Sequence, residues 1–164
     1  MNLSGNNFQE FPKELCFASE LEVLNLSNNK LTEVLHSFEN LYNLRTLNLS
    51  QNLFKVFPEV LASLKKVNYS SFKYWRTTLY SLQNLKQVVE IDLSNNDIES
   101  TPKDLSSLKQ LRELNLNYNS FLKLPVSLTK LMHLRSLNLE GNSLEKIPYE
   151  IRDVRKKVFN YIYL

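Results

Sequence analysis

The sequence predicts an α/β solenoid, a stack of short strands each followed by a tight return, and three observations carry that prediction. The spacing L-x-x-L-x-L-x-x-N-x-L, seen from Leu21 to Leu31, recurs along the chain at a nearly fixed period. An asparagine stands five places after each anchor leucine in six of seven copies. A proline then opens a run with an apolar residue at every third place. Leu24 and Leu26 alternate with Asn25 and Ser27, the period of a strand with one buried face. One such strand cannot bury itself, so its leucines need equivalent neighbours on either side.

Taking Leu24 as the type position, the copies are anchored at Met1, Leu24, Leu47, Ser70, Ile91, Leu114 and Leu137, with steps of 23, 23, 23, 21, 23 and 23 residues. Five places on come Asn6, Asn29, Asn52, Trp75, Asn96, Asn119 and Asn142. The turn there leaves backbone N–H and C=O groups facing inward. An amide side chain both donates and accepts, so stacked asparagines can satisfy successive turns as a ladder. Two places further the core resumes with Phe8, Leu31, Phe54, Ile98, Phe121 and Leu144, with Thr77 as the exception.

Pro12, Pro58, Pro102, Pro125 and Pro148 open the return segments. Proline is cheap at a first helical position, where the missing N–H has no intrahelical partner in any case. Triplets such as Leu105, Leu108, Leu111 and Leu128, Leu131, Leu134 fit a short 3₁₀ or α-helical return.

The combined motif L-P-x-x-L-x-x-L-x-x-L-x-x-L-x-L-x-x-N resembles the intracellular 23-residue class of leucine-rich repeats, found in Ras-pathway scaffolds and Ras-suppressor-like proteins. The resemblance covers almost the whole chain. It implies a right-handed horseshoe of about seven repeats, with a parallel concave sheet, short convex helices and a binding role in place of catalysis.

Three departures from the motif stand out. Leu35 replaces the proline of the second copy, which predicts a looser convex turn. In the fourth copy Ser70 replaces the anchor leucine, Trp75 replaces the asparagine, and the step is two residues short. Either Trp75 fills volume lost at Ser70 in a degenerate copy, or Tyr69, Lys73, Tyr74 and Arg76 form a partner hot spot, since Tyr, Trp and Arg carry binding energy disproportionately. At the end, Ile151, Val154, Val158 and Ile162 recur at helical spacing, so a capping helix is expected over about 149–164. Met1 sits on an anchor with no matching lid, which suggests a fragment or part of a longer array and an edge open to a second copy.

Composition narrows the function classes. With 164 residues and 43% hydrophobic content the chain suits one folded domain, 1–164. A net charge of +3, with scattered lysines and arginines, is too mild for a dedicated nucleic-acid binder. The lone Cys16 rules out an intramolecular disulfide and favours a reducing, cytoplasmic setting. No signal sequence is visible at residues 1–5, and no apolar run approaches the length of a membrane span. His36 and His133 each stand alone, so no metal or other cofactor is expected. No nucleotide-binding or hydrolase fingerprint occurs, and the expected protein is not an enzyme. The sequons at Asn2, Asn25, Asn48 and Asn68 mostly coincide with the strand consensus N-L-S and are read as structural.

The concave face is expected to carry Asn25 and Ser27, Asn48 and Ser50, Ser71 and Lys73, Asp92 and Ser94, Asn115 and Asn117, and Asn138 and Glu140. Arg45, Arg112 and Arg135 should line one rim. Such a surface suits a protein partner better than a small molecule, which favours deeper apolar pockets. The expected contacts are Tyr69, Lys73, Tyr74, Arg76 and Tyr118, with the three rim arginines as a second line. The expected protein is thus a monomeric intracellular scaffold or adaptor. An array serving a catalytic or signalling domain of a longer polypeptide is the main alternative, and an extracellular receptor fragment is a third.

Overall fold

The computed structural model describes residues 1–61, 88–102, 104–124, 126–146 and 161–163. Its centre is one parallel sheet of six strands in the order of the chain: β1 (Val23–Asn25), β2 (Thr46–Asn48), β3 (Glu90–Asp92), β4 (Glu113–Asn115), β5 (Ser136–Asn138) and β6 (Tyr161–Tyr163). Each anchor sits beside the next, Leu24 on Leu47, Leu47 on Ile91, Ile91 on Leu114 and Leu114 on Leu137. These anchors and the leucines two places on, Leu26, Leu49, Leu93, Leu116 and Leu139, are at most 2% exposed. Period-two burial in β1 to β5 and period-three burial in the described returns close a single apolar column. Ahead of β1, Asn2 bridges Asn25 in parallel, and the Met1 ammonium donates to the Val23 carbonyl.

The returns are 3₁₀ turns at Lys13–Phe17, His36–Asn40, Glu59–Leu61 and Val126–Lys130, and no α-helix occurs among the described residues. Leu35 does not loosen its turn. Its φ of −66° nearly equals the −65° of Pro12, and Phe38 N donates to Leu35 O at 3.0 Å as Leu15 N does to Pro12 O. Phe38, fully buried, meets Phe11 edge-to-face with ring centroids 5.6 Å apart, which ties the second return to the first.

Two expectations are corrected. The sheet does not run through an anchor at Ser70, because β2 pairs directly with β3 across 44 residues of chain, Thr46 beside Glu90. Ser70 and Trp75 themselves lie outside the described residues. The asparagine ladder accordingly steps from Asn52 to Asn96. The other correction is at the end, where Ile162 lies in a strand beside Leu137, so a helix does not run to the C-terminus. Alternating Tyr161, Ile162 and Tyr163 suit a strand, and they satisfy the backbone groups that β5 would otherwise leave open. The rest of the expected cap, 149–160 and 164, lies outside the described residues.

Candidate functional site

Each turn after a strand is held by its asparagine. Asn52 Nδ2 donates to Leu26 O, Leu49 O and Ser50 O at 3.0, 3.1 and 3.2 Å, while its Oδ1 accepts from Leu31 N at 3.0 Å. Asn29, Asn96, Asn119 and Asn142 repeat the arrangement, each tying its own turn to the preceding copy. One place earlier the backbone is left-handed at Gly5, Asn28, Gln51, Asn95, Tyr118 and Gly141. With the turns fixed inside, the residues flanking each anchor must stand out on the outward face of the sheet.

Register sorts that face into columns. Immediately after the anchors come Asn25, Asn48, Asp92, Asn115 and Asn138, all half-buried. Each accepts, through Oδ1, the backbone N–H two residues on, at 2.9 to 3.3 Å. Asn2 does the same for Ser4 N. These local rings cap the strand ends, which is the structural role expected of the sequon asparagines at 2, 25 and 48. The column just before the anchors reads Val23, Thr46, Glu90, Glu113 and Ser136. Sequence reasoning missed it by assigning the concave face to the first and third positions after the anchor. Strand alternation is the signal that identifies it, since residues on either side of an inward leucine share the outward face. Ser50 and Ser94, by contrast, are 8% and 5% exposed because the chain has already turned inward there.

Arg45, Arg112 and Arg135 do share one column. Their backbones form a hydrogen-bonded ladder, Val89 N to Arg45 O, Arg112 N to Val89 O and Arg135 N to Arg112 O, at 2.7 to 2.8 Å. All three side chains are exposed, with Val89 interrupting the line. Tyr118 is 53% exposed at φ 49°, and its ring lies over Gly141, where an added Cβ would come within 2.5 Å of Tyr118 Cδ1. Left-handed backbone is uncommon for a bulky residue and costs on the order of 1–3 kcal/mol. Glycine beneath it leaves room for the ring. Tyr69, Lys73, Tyr74 and Arg76 lie outside the described residues.

Between these columns runs a shallow groove of about 340 Å³ crossing β2 to β5, floored by Thr46, Asn48, Glu90, Asp92, Glu113 and Asn115. A second groove of similar volume lies between the returns, lined by Val34, His36, Phe57 and Pro102. Cys16 is 4% exposed and receives the Ser37 hydroxyl at 3.2 Å, the environment of a packed thiol. Among the described residues no group of three or more His, Cys, Asp or Glu could hold a metal ion, and no helix is long and apolar enough to cross a membrane.

The leucine rich repeat family profile matches residues 1–54 and 86–144, the segments that build the described sheet up to β5. Over 94 residues the chain is 36% identical to leucine-rich repeat and calponin homology domain-containing protein 1 of Mus musculus, covering 57% of this chain and 13% of that protein. The ectodomain of the plant membrane receptor kinase GASSHO1/SCHENGEN3 from Arabidopsis thaliana, solved in complex with CASPARIAN STRIP INTEGRITY FACTOR 2, is similar over 99% of this chain and 18% of its own. That similarity has a TM-score of 0.69 with 27% identity. The leucine-rich repeat domain of the type III effector XopL shares the fold at a TM-score of 0.70 and 20% identity, over 95% of this chain and 49% of that one. The chain thus spans less than a fifth of the mouse protein and of the plant ectodomain.

Proposed function

The chain belongs to the leucine-rich repeat family, and from that premise we propose that it is a non-catalytic protein-interaction module that binds its partner through the concave face and the arginine rim. The observation that carries this reading is the division of labour along each strand. The anchors of β1 to β5 and the ladder asparagines Asn29, Asn52, Asn96 and Asn119 are buried, while register delivers the flanking residues to one continuous outward surface. Strand-borne side chains arrive preordered, which lowers the entropy lost on binding. Tyr118 adds a rigid, half-exposed aromatic of the kind enriched at hot spots.

In this reading the contacts are Tyr69, Lys73, Tyr74, Arg76 and Tyr118, with Arg45, Arg112 and Arg135 as a second line. The setting is cytoplasmic, as the lone cysteine suggests, and the role is that of a scaffold or adaptor of the Ras-suppressor-like class, acting as a monomer. The domain comprises residues 1–164. A second reading makes the array the recognition arm of a longer polypeptide. It is favoured by the mouse relative, whose name joins leucine-rich repeats to a calponin homology domain, and by the receptor kinase to which the similar ectodomain belongs.

The test compares two variants with the wild type in affinity capture followed by mass spectrometry. Arg112→Ala/Arg135→Ala is expected to deplete the specific partner about tenfold or more, since interface arginines cost 1 to 2 kcal/mol or more on truncation. Tyr74→Ala/Arg76→Ala is expected to weaken capture with the melting temperature nearly unchanged. Undiminished capture by the first variant would refute the rim assignment. A fall in stability equal to the loss of capture in the second would make that patch structural.

A further inference from the structure

We infer that the concave groove receives an extended polypeptide segment that presents lysine or arginine side chains to Glu90, Asp92 and Glu113. The inference rests on the concave-face reading above and adds the chemistry of the partner. Glu90 and Glu113 are directly paired across β3 and β4, and both are exposed. Like charges facing each other on neighbouring strands repel and cost stability. The fold does not require them, because the same column carries Val23, Thr46 and Ser136 on the other strands.

Nothing described in the chain neutralises them. Glu90 receives only the Thr46 hydroxyl, at 3.2 Å, and neither glutamate makes an ion pair among the described residues. Asp92, next on the floor, directs one oxygen at its own turn, accepting from Ser94 N at 2.9 Å, and leaves the other to the groove. Glu90, Asp92 and Glu113 therefore line the floor of one open channel in a chain whose net charge is +3. The described acidic residues do not form a cluster fit to hold a metal ion. A cation carried on a long side chain of an extended segment fits the shallow groove and relieves the repulsion. Arg112 and Arg135 along the margin repel the same cations, which confines basic residues to the floor columns.

The test uses three labelled octapeptides, acetylated and amidated, with the sequences (Ala-Lys)₄, (Ala-Glu)₄ and (Ala-Gln)₄, followed by fluorescence anisotropy. The lysine peptide is expected to bind at least tenfold more tightly than the glutamate peptide, against the sign of the overall charge, and to weaken as salt is raised. Glu90→Gln/Glu113→Gln should reduce that affinity about fivefold while its melting temperature stays level or rises, because the repulsion is gone. A merely structural pair would instead lower the melting temperature. Equal or tighter binding of the glutamate peptide, no binding of the lysine peptide, or an unaffected double variant would overturn the inference. A separate selection from an unbiased 12-residue peptide library distinguishes the two readings. Binders without basic residues that still lose affinity to Arg112→Ala/Arg135→Ala overturn the charge inference alone. Binders indifferent to both double variants overturn the concave-face reading itself.

Discussion

Replacing Asn96 with alanine is expected to lower the stability of the chain by about 3 to 4 kcal/mol, read as a shift of the urea midpoint at unchanged slope. Asn96 Nδ2 donates to Leu49 O, Leu93 O and Ser94 O at 3.1 to 3.2 Å, and Oδ1 accepts from Phe54 N at 3.1 Å. These groups are buried where water cannot replace the amide, and each orphaned buried backbone group costs on the order of 1–3 kcal/mol. Asn96 is also the rung that joins the copies on either side of the long β2–β3 connection. Its loss therefore falls at the junction with the greatest loop-closure entropy to offset. Asn142, whose ladder contacts are only partly buried, should cost less when changed in the same way. A loss at Asn96 below about 1 kcal/mol, the net value of one ordinary hydrogen bond, would mean the amide ladder is incidental.

Phe38→Ala is expected to cost about 3 to 5 kcal/mol, the range for emptying a buried aromatic site. The ring is fully buried and packs edge-to-face on Phe11, joining the returns of the first and second copies. Phe11→Ala combined with Phe38→Ala should cost less than the two single changes together, because both remove the same contact. Phe38→Leu should restore much of the loss by refilling the volume. Thermal or denaturant unfolding of the four proteins checks all three statements. Strict additivity would show that the rings act independently.

The solenoid was legible because its two periods are enforced by burial. Leu24, Leu47, Ile91, Leu114 and Leu137 each face a leucine-lined interior, and a slip of one residue would turn them outward. The ladder asparagines were legible for a related reason, since few side chains other than an amide both donate and accept at that turn. The fourth copy misled because counting residues treats every copy as a layer, whereas β2 pairs directly with β3. Helical spacing at the end misled because Ile162 satisfies a strand pattern equally well, flanked by Tyr161 and Tyr163, and the open edge of β5 decides between them. The arginine column followed from constant offset to the anchors. The Glu90–Glu113 pairing did not, because the position before each anchor shares the outward face with the position after it, and because β3 and β4 become neighbours only in the folded register.

Residues 44 apart become lateral neighbours in one parallel sheet, and cross-linking reads this directly. Neighbouring strands lie about 4.8 Å apart, within reach of a disulfide, whereas two rungs, about 9.6 Å, are not. Thr46→Cys/Glu90→Cys should form a bridge on mild oxidation, located by non-reducing peptide mapping, and Thr46→Cys/Glu113→Cys should not. Failure of the first pair to close, or equal closure of the second, would contradict the single parallel row on which the concave surface depends.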